Sequence, residues 1–183
     1  MADNGELSAQ PQGVAILGPL PRSASIIESF RGAALPADPG QRVLDVAAEL
    51  VANHQRQWQA EDACRSPGAT AEDIAAAKRT IDDLNSRRVA LVEQIDEWIA
   101  GGVRGRADAS LHTETFGSVI DRLAIAWVRT NNVINASNRD RARLALSQLV
   151  ELAAAYDDLV RDVTAGRRRL PAWRLLKAYG VTE

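Results

Sequence analysis

The sequence predicts an all-α protein, folded as an antiparallel bundle of about four long helices with short flanking helices. Aromatic residues make up only 4% of the 183 residues while 46% are hydrophobic, so the core must be built mainly from aliphatic and small side chains. Apolar residues recur at three- and four-residue steps through the long segments. Capping residues and glycines stand at the ends of these segments, which gives each helix a predicted start and stop.

Composition also restricts the partners and the location. The formal net charge of -2 provides no basic field that would attract nucleic acid. No apolar stretch is long enough to span a bilayer, so we expect no membrane partner. The single cysteine, Cys64, excludes an internal disulfide and suits a reducing compartment. We therefore expect a cytoplasmic protein.

Two regions of the chain differ in regularity. Residues 1–21 carry Gly, Pro and polar residues without a sustained period, and we expect them to form a flexible N-terminal arm. Residues 22–183 are long enough for one core and are expected to form a single helical-bundle domain. A short helix that stops at Gly32 is predicted at the start of this domain.

The first long helix is predicted to begin with Asp38 as its N-cap and Pro39 in the first helical position. Side chains spaced by three and four residues share one face of a helix. The positions on that face are Val43, Ala47, Leu50, His54, Trp58, Glu61 and Arg65. The stripe therefore begins apolar and ends polar.

Thr70 and Asp73 resemble a capping box and predict a second long helix that runs to about Ile99. The short turn before it implies that the first two long helices are antiparallel neighbours. The predicted core positions are Ile74, Ile81, Leu84, Leu91, Ile95 and Trp98. An adjoining stripe consists of Lys78, Asp82, Asn85, Val92 and Asp96. The polar groups flank the apolar seam without interrupting it, which suits the edge of a pocket.

Two further long helices are predicted in the second half of the chain. The third should start near Thr115, and the fourth should be capped by Ser137 with Asp140 and end at Gly166. A short closing helix is predicted after Pro171.

Two basic segments lie between and after these helices. Residues 103–110 are expected to form a flexible basic loop. The three arginines at 167–169 follow a helix C-terminus, where cations complement the helix dipole, so we expect them to be solvated.

Three mixed polar and aromatic motifs stand in order along the chain. They are QWQAEDACR at 57–65, KRTIDDLNSRRVALVEQID at 78–96 and TFGSVIDRL at 115–123. They resemble the bacterial domain of unknown function 4254 family, with its Trp-x-x-Glu-Asp, Lys-x-x-Ile-Asp-x-x-Asn-x-x-Arg and Thr-x-Gly-Ser-x-x-Asp-Arg-Leu segments. The resemblance spans roughly residues 45 to 130. The resemblance implies an all-α fold and an accessory role in a biosynthetic pathway, including cell-surface sugar pathways, but no particular reaction.

Asp121 and Arg122 place two opposite charges side by side in an otherwise apolar helix. Adjacent side chains diverge by about 100 degrees on a helix, so the two residues must have separate partners. If Arg122 turns inward, it should meet a carboxylate of a neighbouring helix. The candidates are Glu61, Asp62 and Asp82. Ser118 lies near the helix N-terminus, where free amide groups favour an anion.

These charges predict a small enzyme, or enzyme subunit, that acts on a polar, anionic metabolite by metal-independent acid-base chemistry. Lys78 and Arg122 would hold the anion while a carboxylate moves a proton, in an elimination or an intramolecular displacement. The predicted catalytic residues are Glu61, Asp82 and Asp121. The predicted substrate-binding residues are His54, Trp58, Asp62, Lys78, Asn85, Ser118 and Arg122.

Other interpretations stay open at this stage. The charged cluster also fits a structural ion-pair network that fixes helix register. The chain also fits a non-catalytic partner or scaffold of a biosynthetic enzyme, or a homo-oligomer, because long amphipathic helices can bury such interfaces. We expect no metal, since the paired Glu-x-x-His motifs of di-iron bundles are absent, and no cofactor, since no glycine pattern matches a nucleotide-binding loop.

Overall fold

The computed structural model of the chain describes residues 19–32, 40–103, 105–135 and 138–172, and it confirms the all-α fold. The described helices are α1 Ser23–Phe30, α2 Gln41–Cys64, α3 Ala71–Gly102, α4 Phe116–Asn135 and α5 Arg139–Thr164. Two short strands, β1 Ser110–Leu111 and β2 Arg168–Arg169, complete the elements. Residues 1–18 of the predicted arm, the caps Asp38 and Ser137, and the closing helix from 173 onward lie outside the described residues.

The starts of the helices follow their capping residues. At α3, Thr70 Oγ1 accepts a hydrogen bond from the Asp73 amide, and the Asp73 carboxylate accepts one from the Thr70 amide, so the predicted capping box is confirmed. Helix α2 begins two residues later than predicted, with Gly40 as its N-cap and no side-chain cap. The N-cap of α5 is Asn138, whose side chain accepts a hydrogen bond from the amide of Arg141.

Side-chain contacts fix the directions of the helices. Glu49 of α2 pairs with Arg87 of α3, and Asn53, one turn later on α2, donates to the carbonyl of Leu84, one turn earlier on α3. Partners that move in opposite directions along the chain show that α2 and α3 are antiparallel. The pairs Arg88–Asp121 and Asp96–Gly117 show the same for α3 and α4. Helices α2 and α4 therefore run parallel to each other on the same side of α3.

The core fills the space between these helices with aliphatic side chains and two rings. Its largest fully buried members include Leu44, Leu50, Ile95, Phe116, Ile120, Leu123 and Tyr156. Along the predicted stripe of α2, the side chains become more exposed towards the C-terminal end of the helix, as expected. Leu50 is completely buried, Trp58 is half-buried and the side chain of Arg65 is 66% exposed. The polar end of α2 thus reaches the surface.

Helix α1 is attached to α5 by polar contacts. The hydroxyl of Tyr156 donates to the carbonyl of Pro21 over 2.8 Å, and Asp157 accepts hydrogen bonds from the amide and the hydroxyl of Ser23. These bonds satisfy the free amide at the start of α1, which has no side-chain cap of its own. None of the described helices is long and apolar enough to cross a membrane.

The two basic segments pair with each other, which the sequence did not predict. Ser110 and Leu111 form a short parallel bridge with Arg168 and Arg169, and Arg169 Nε donates to the carbonyl of Ala109. Arg169 is half-buried, so the expectation that this arginine is solvated is wrong. The bridge ties the α3–α4 connection to the end of α5.

Candidate functional site

Asp121 lies at the centre of a buried polar contact between three helices. Its side chain is 3% exposed, and its Oδ1 lies 2.8 Å from Nε2 of His54 on α2. Arg88 of α3 reaches the same carboxylate with two nitrogens: Nε lies 3.0 Å from both oxygens, and Nη2 lies 2.5 Å from Oδ2. One carboxylate therefore joins α2, α3 and α4.

The first turn of α4 explains how Asp121 reaches this position. Thr115 Oγ1 accepts a hydrogen bond from the amide of Ser118 and so caps the start of the helix. Gly117 lies so close to α3 that a Cβ there would be 2.4 Å from the carbonyl oxygen of Val92. The amide of Gly117 donates to Asp96 Oδ1 over 2.7 Å. This close approach brings Asp121, one turn later, within reach of Arg88.

The environment of Asp121 favours the ionised carboxylate. Burial by itself raises the pKa of the carboxyl group, but hydrogen bonds from His54 and Arg88 outweigh burial and hold the pKa below its ordinary value. The hydrogen bond to Asp121 is also the main reason why the pKa of Arg88 is raised. The two groups therefore stay charged at neutral pH.

The carboxylate also fixes the orientation of the His54 ring. An ionised carboxylate can only accept, so Nε2 of His54 carries a proton and donates it to Asp121. Within the described part of the chain, no group forms a hydrogen bond with the other ring nitrogen, Nδ1. His54 thus has one nitrogen held by a buried acid and one nitrogen available to a ligand.

A cleft of about 210 Å³ opens beside this contact. One face of α2 and one face of α4 form its walls, and Arg88 of α3 lies between them. The lining residues are His54, Gln57, Trp58, Glu61, Arg88, Ile125, Val128 and Arg129. Because α2 and α4 run parallel, both walls lead from the His54–Asp121 contact past apolar side chains to Glu61 and Arg129. The lining is polar at both ends, and the stretch between them contains Gln57 together with Trp58, Ile125 and Val128.

Several predicted site residues lie at this cleft. His54, Trp58 and Glu61 line it, and Asp121 lies behind His54. Asn85 is adjacent, since its Oδ1 accepts a weak hydrogen bond of 3.4 Å from Gln57. Glu61 also pairs with Arg65 at the surface.

The remaining predicted residues lie elsewhere. The side chain of Arg122 is 61% exposed and pairs with Glu114, so it does not turn inward to Glu61, Asp62 or Asp82. Lys78 and Asp82 are exposed and do not line the cleft. The 100-degree divergence of neighbours on α4 directs Asp121 inward and leaves Arg122 in solvent.

Two more of the predicted binding residues have local partners. Asp62 pairs with Arg65, the residue that follows the end of α2. The hydroxyl of Ser118 accepts a hydrogen bond from Thr115 Oγ1 within the cap of α4, so it serves the helix start.

Sequence reasoning missed Arg88, which supplies the main partner of Asp121. A signal was present, because Arg88 is the last residue of the Lys-x-x-Ile-Asp-x-x-Asn-x-x-Arg motif and follows Asn85 by three positions, on the same face. Gln57 and Arg129 were also missed. Gln57 precedes the Trp-x-x-Glu-Asp motif in its segment, and Arg129 belongs to no motif. Both are recognisable only once α2 and α4 are placed beside each other.

A second hollow of about 310 Å³ lies between the end of α3, the start of α4 and β2. Its polar lining includes Glu93, Asp96, Glu97 and Arg169. Burial raises the pKa of Asp96, although the hydrogen bond from the amide of Gly117 acts in the opposite direction. Nowhere in the described ranges do three or more His, Cys, Asp or Glu side chains meet in a group that could hold a metal ion.

The fold and the site define an all-α protein in which one buried aspartate joins a histidine and an arginine from two other helices. The chain belongs to the family described as "Protein of unknown function (DUF4254)", whose model matches residues 44–172. The match runs through α5 and β2 and so extends beyond the three motifs. No curated protein and no solved structure matches the chain.

Proposed function

We propose that the chain is a small enzyme, or an enzyme subunit, that binds an anionic metabolite in the α2–α4 cleft and moves a proton with His54. The observation that supports this proposal is the Asp121 carboxylate, which holds Nε2 of His54 and leaves Nδ1 available. A histidine held by a buried aspartate through one nitrogen is the arrangement by which enzymes orient a general base.

Arg88 is the proposed anion anchor. Asp121 occupies Nε and Nη2 of Arg88, and Nη1 forms no hydrogen bond with any described group. The guanidinium is therefore held in a fixed orientation with donors left for a ligand. Arg129 adds a second positive charge to the lining and forms no ion pair with a described residue. These roles replace the ones predicted for Lys78 and Arg122.

The proposed reaction is an elimination or an intramolecular displacement. Nδ1 of His54 takes a proton from the substrate, and the electron pair of that bond forms a new double bond or closes a ring. The leaving group departs with its own electron pair as an anion, which Arg88 stabilises. The resulting imidazolium is stabilised by the Asp121 carboxylate. Asp121 itself is a positioning residue, because both of its oxygens already accept hydrogen bonds.

The size of the cleft restricts the substrate. Pockets for drug-sized ligands measure about 300–1,000 Å³. The cleft of about 210 Å³ is smaller, so the substrate should be a small metabolite. A pathway of small-molecule biosynthesis in the cytoplasm would supply such compounds.

The test follows a library of small carboxylates and phosphate esters by proton NMR in D2O with the purified protein. We expect one class of compound to lose a C–H signal or to give product signals. His54→Gln keeps a donor for Asp121 but removes the base, so the rate should fall by roughly 100-fold or more. The control is His112→Gln, since His112 is the second of the two histidines and lies in the loop before α4.

The catalytic proposal fails if a compound is converted and His54→Gln converts it at the rate of the unchanged protein. Arg88→Met should weaken binding of the same compound, whereas Arg87→Met should not. Arg87 is the exposed neighbour of Arg88, pairs with Glu49 of α2 and does not line the cleft.

A non-catalytic partner or scaffold protein is the second candidate function. It is favoured by two exposed aliphatic side chains that lie one turn apart on the same face of α5, Leu146 and Val150. Exposed apolar side chains that are close together mark interaction surfaces. Val150→Glu should then abolish copurification of the partner or dissociate a homo-oligomer, while His54→Gln should leave the assembly intact.

A further inference from the structure

We infer that the ligand of the cleft carries two anionic groups separated by a short carbon chain, and that Arg129 binds the second of them. This inference rests on the proposed function in one respect, namely the use of Arg88 as the first anion anchor. It gives Arg129 a specificity-determining role, which is the selection of doubly charged ligands over singly charged ones.

Arg129 carries a positive charge that no described carboxylate offsets. The other charged side chains of the lining are already paired: Glu61 lies 2.9 Å from Arg65, and Arg88 is held by Asp121. Arg129 is exposed and forms no ion pair within the described ranges, although Glu61 belongs to the lining of the same cleft. An anion that enters the cleft therefore meets a cation that is not engaged elsewhere.

The two arginines lie at opposite ends of the lining. Arg88 contacts Asp121 of α4, and Arg129 follows Asp121 by eight residues (129 − 121), which is about 12 Å along the helix axis. Nη1 of Arg88 is available at one end, and the guanidinium of Arg129 is available at the other. A guanidinium group binds a carboxylate or a phosphate through paired N–H donors, so each end suits one anionic group.

The stretch between the arginines suits a carbon chain. Ile125 and Val128 of α4 and Trp58 of α2 give it apolar surface. Gln57 also lines this stretch, but its Oε1 is buried and its Nε2 donates to Asn85. A strongly polar spacer would lose its hydration here without gaining partners, whereas methylene groups would bury apolar surface. A linear dicarboxylate, or its analogue with one phosphate-like end, matches this order of cation, apolar wall and cation.

The experiment measures binding by calorimetry in about 0.15 M NaCl, where long-range attraction between charges is largely screened. Pentanoate, glutarate and 4-phosphonobutanoate share one spacer and differ only at the second end. We expect at least one of the two dianions to bind about fivefold or more tightly than pentanoate, and the tighter dianion shows whether the second group is a carboxylate or phosphate-like. Malonate is too short to reach both arginines, so it should bind about as tightly as propionate.

Two variants assign the preference to Arg129. Arg129→Met keeps an unbranched side chain but removes the charge, so it should reduce binding of the preferred dianion to the level of pentanoate and leave pentanoate binding unchanged. Arg122→Met removes the same unit of charge from the same helix. Arg122 pairs with Glu114 and does not line the cleft, so this control should keep the fivefold preference.

The outcomes separate this inference from the proposed function. Suppose that pentanoate binds and that Arg88→Met weakens its binding. If neither dianion then binds more tightly than pentanoate, or if Arg129→Met keeps the preference, the inference is wrong while the anion site stands. If Arg88→Met weakens the binding of none of these acids, both are wrong. An equal loss of preference in Arg129→Met and Arg122→Met would assign the effect to the overall charge of the chain and would also overturn the inference.

Discussion

Asp121 Oδ1 accepts hydrogen bonds from His54 Nε2 over 2.8 Å and from Arg88 Nε over 3.0 Å, so a single oxygen of α4 binds α2 and α3 at once. The contact lies against the apolar core, next to Ile120. A buried charge of this kind is tolerated only while its partners are in place. Removing the charge should therefore affect the packing of three helices.

Asp121→Asn should destabilise the protein by about 2 kcal/mol at pH 7. Breaking a fully buried ion pair typically costs roughly 3–5 kcal/mol, but the side chain of Arg88 is 38% exposed, and water can solvate its charge in the variant. Urea denaturation followed by circular dichroism measures the difference. Asp83→Asn, at an exposed position of α3, is the matched control and should change stability by less than about 0.5 kcal/mol. Equal stabilities of the two variants would contradict the importance of the contact.

The contribution of Asp121 should depend on pH with a defined sign. Its pKa is lower in the folded protein than the ordinary value of about 3.9 for an unfolded chain. The folded state therefore binds this proton less readily, and the stabilisation is fully present above about pH 4. It is lost as the pH falls through the lower folded pKa. The difference in stability between the unchanged protein and Asp121→Asn should therefore disappear only below about pH 4. A difference that disappears between pH 8 and 5 would contradict this assignment to Asp121.

The sequence predicted the fold better than the site for a physical reason. Helix starts and core stripes depend on local spacing, which explains why the Thr70 cap and the burial of Leu84, Leu91 and Ile95 could be predicted. The partner of a charge depends on which helices are neighbours and on their relative rotation. Helix geometry predicts from the sequence that Asp121 and Arg122 point in different directions. It does not predict which of the two faces inward.

Asp96→Asn should reveal the opposite pH dependence. Burial raises the folded pKa of Asp96, so folding favours its neutral form. Below about pH 3.9 the carboxyl is protonated in both states and carries no penalty; the penalty grows as the pH rises to the folded pKa. The asparagine can still accept from the Gly117 amide, so the variant should gain stability relative to the unchanged protein across this range. Thermal melts of both proteins at several pH values measure this gain. The prediction is contradicted if the variant loses stability relative to the unchanged protein as the pH rises.

Tyr156→Phe should loosen the attachment of α1. The variant keeps the ring that packs against Phe116 at 5.6 Å, but it leaves the buried carbonyl of Pro21 without its donor. An unpaired buried carbonyl costs about 1–3 kcal/mol. Hydrogen exchange of the α1 amides should accelerate. The amides at the centre of α4, which exchange through global unfolding, should change only as much as the global stability changes. Uniform protection across both helices would show that this bond does not hold α1.

Gly117→Ala should separate α4 from α3 and thereby disturb Asp121 without touching its carboxylate. An added Cβ would lie 2.4 Å from the backbone oxygen of Val92, and a backbone atom cannot move aside as the end of a side chain can. We expect a loss of about 1–3 kcal/mol, the usual range for overpacking. Gly101→Ala is the matched control, because a Cβ there meets nothing within 4 Å and alanine favours the helix. Denaturation of the two variants measures the contrast. If Gly117→Ala is as stable as Gly101→Ala and binds its ligand unchanged, the prediction is contradicted. The close approach of α3 and α4 would then not be what positions Asp121 against Arg88.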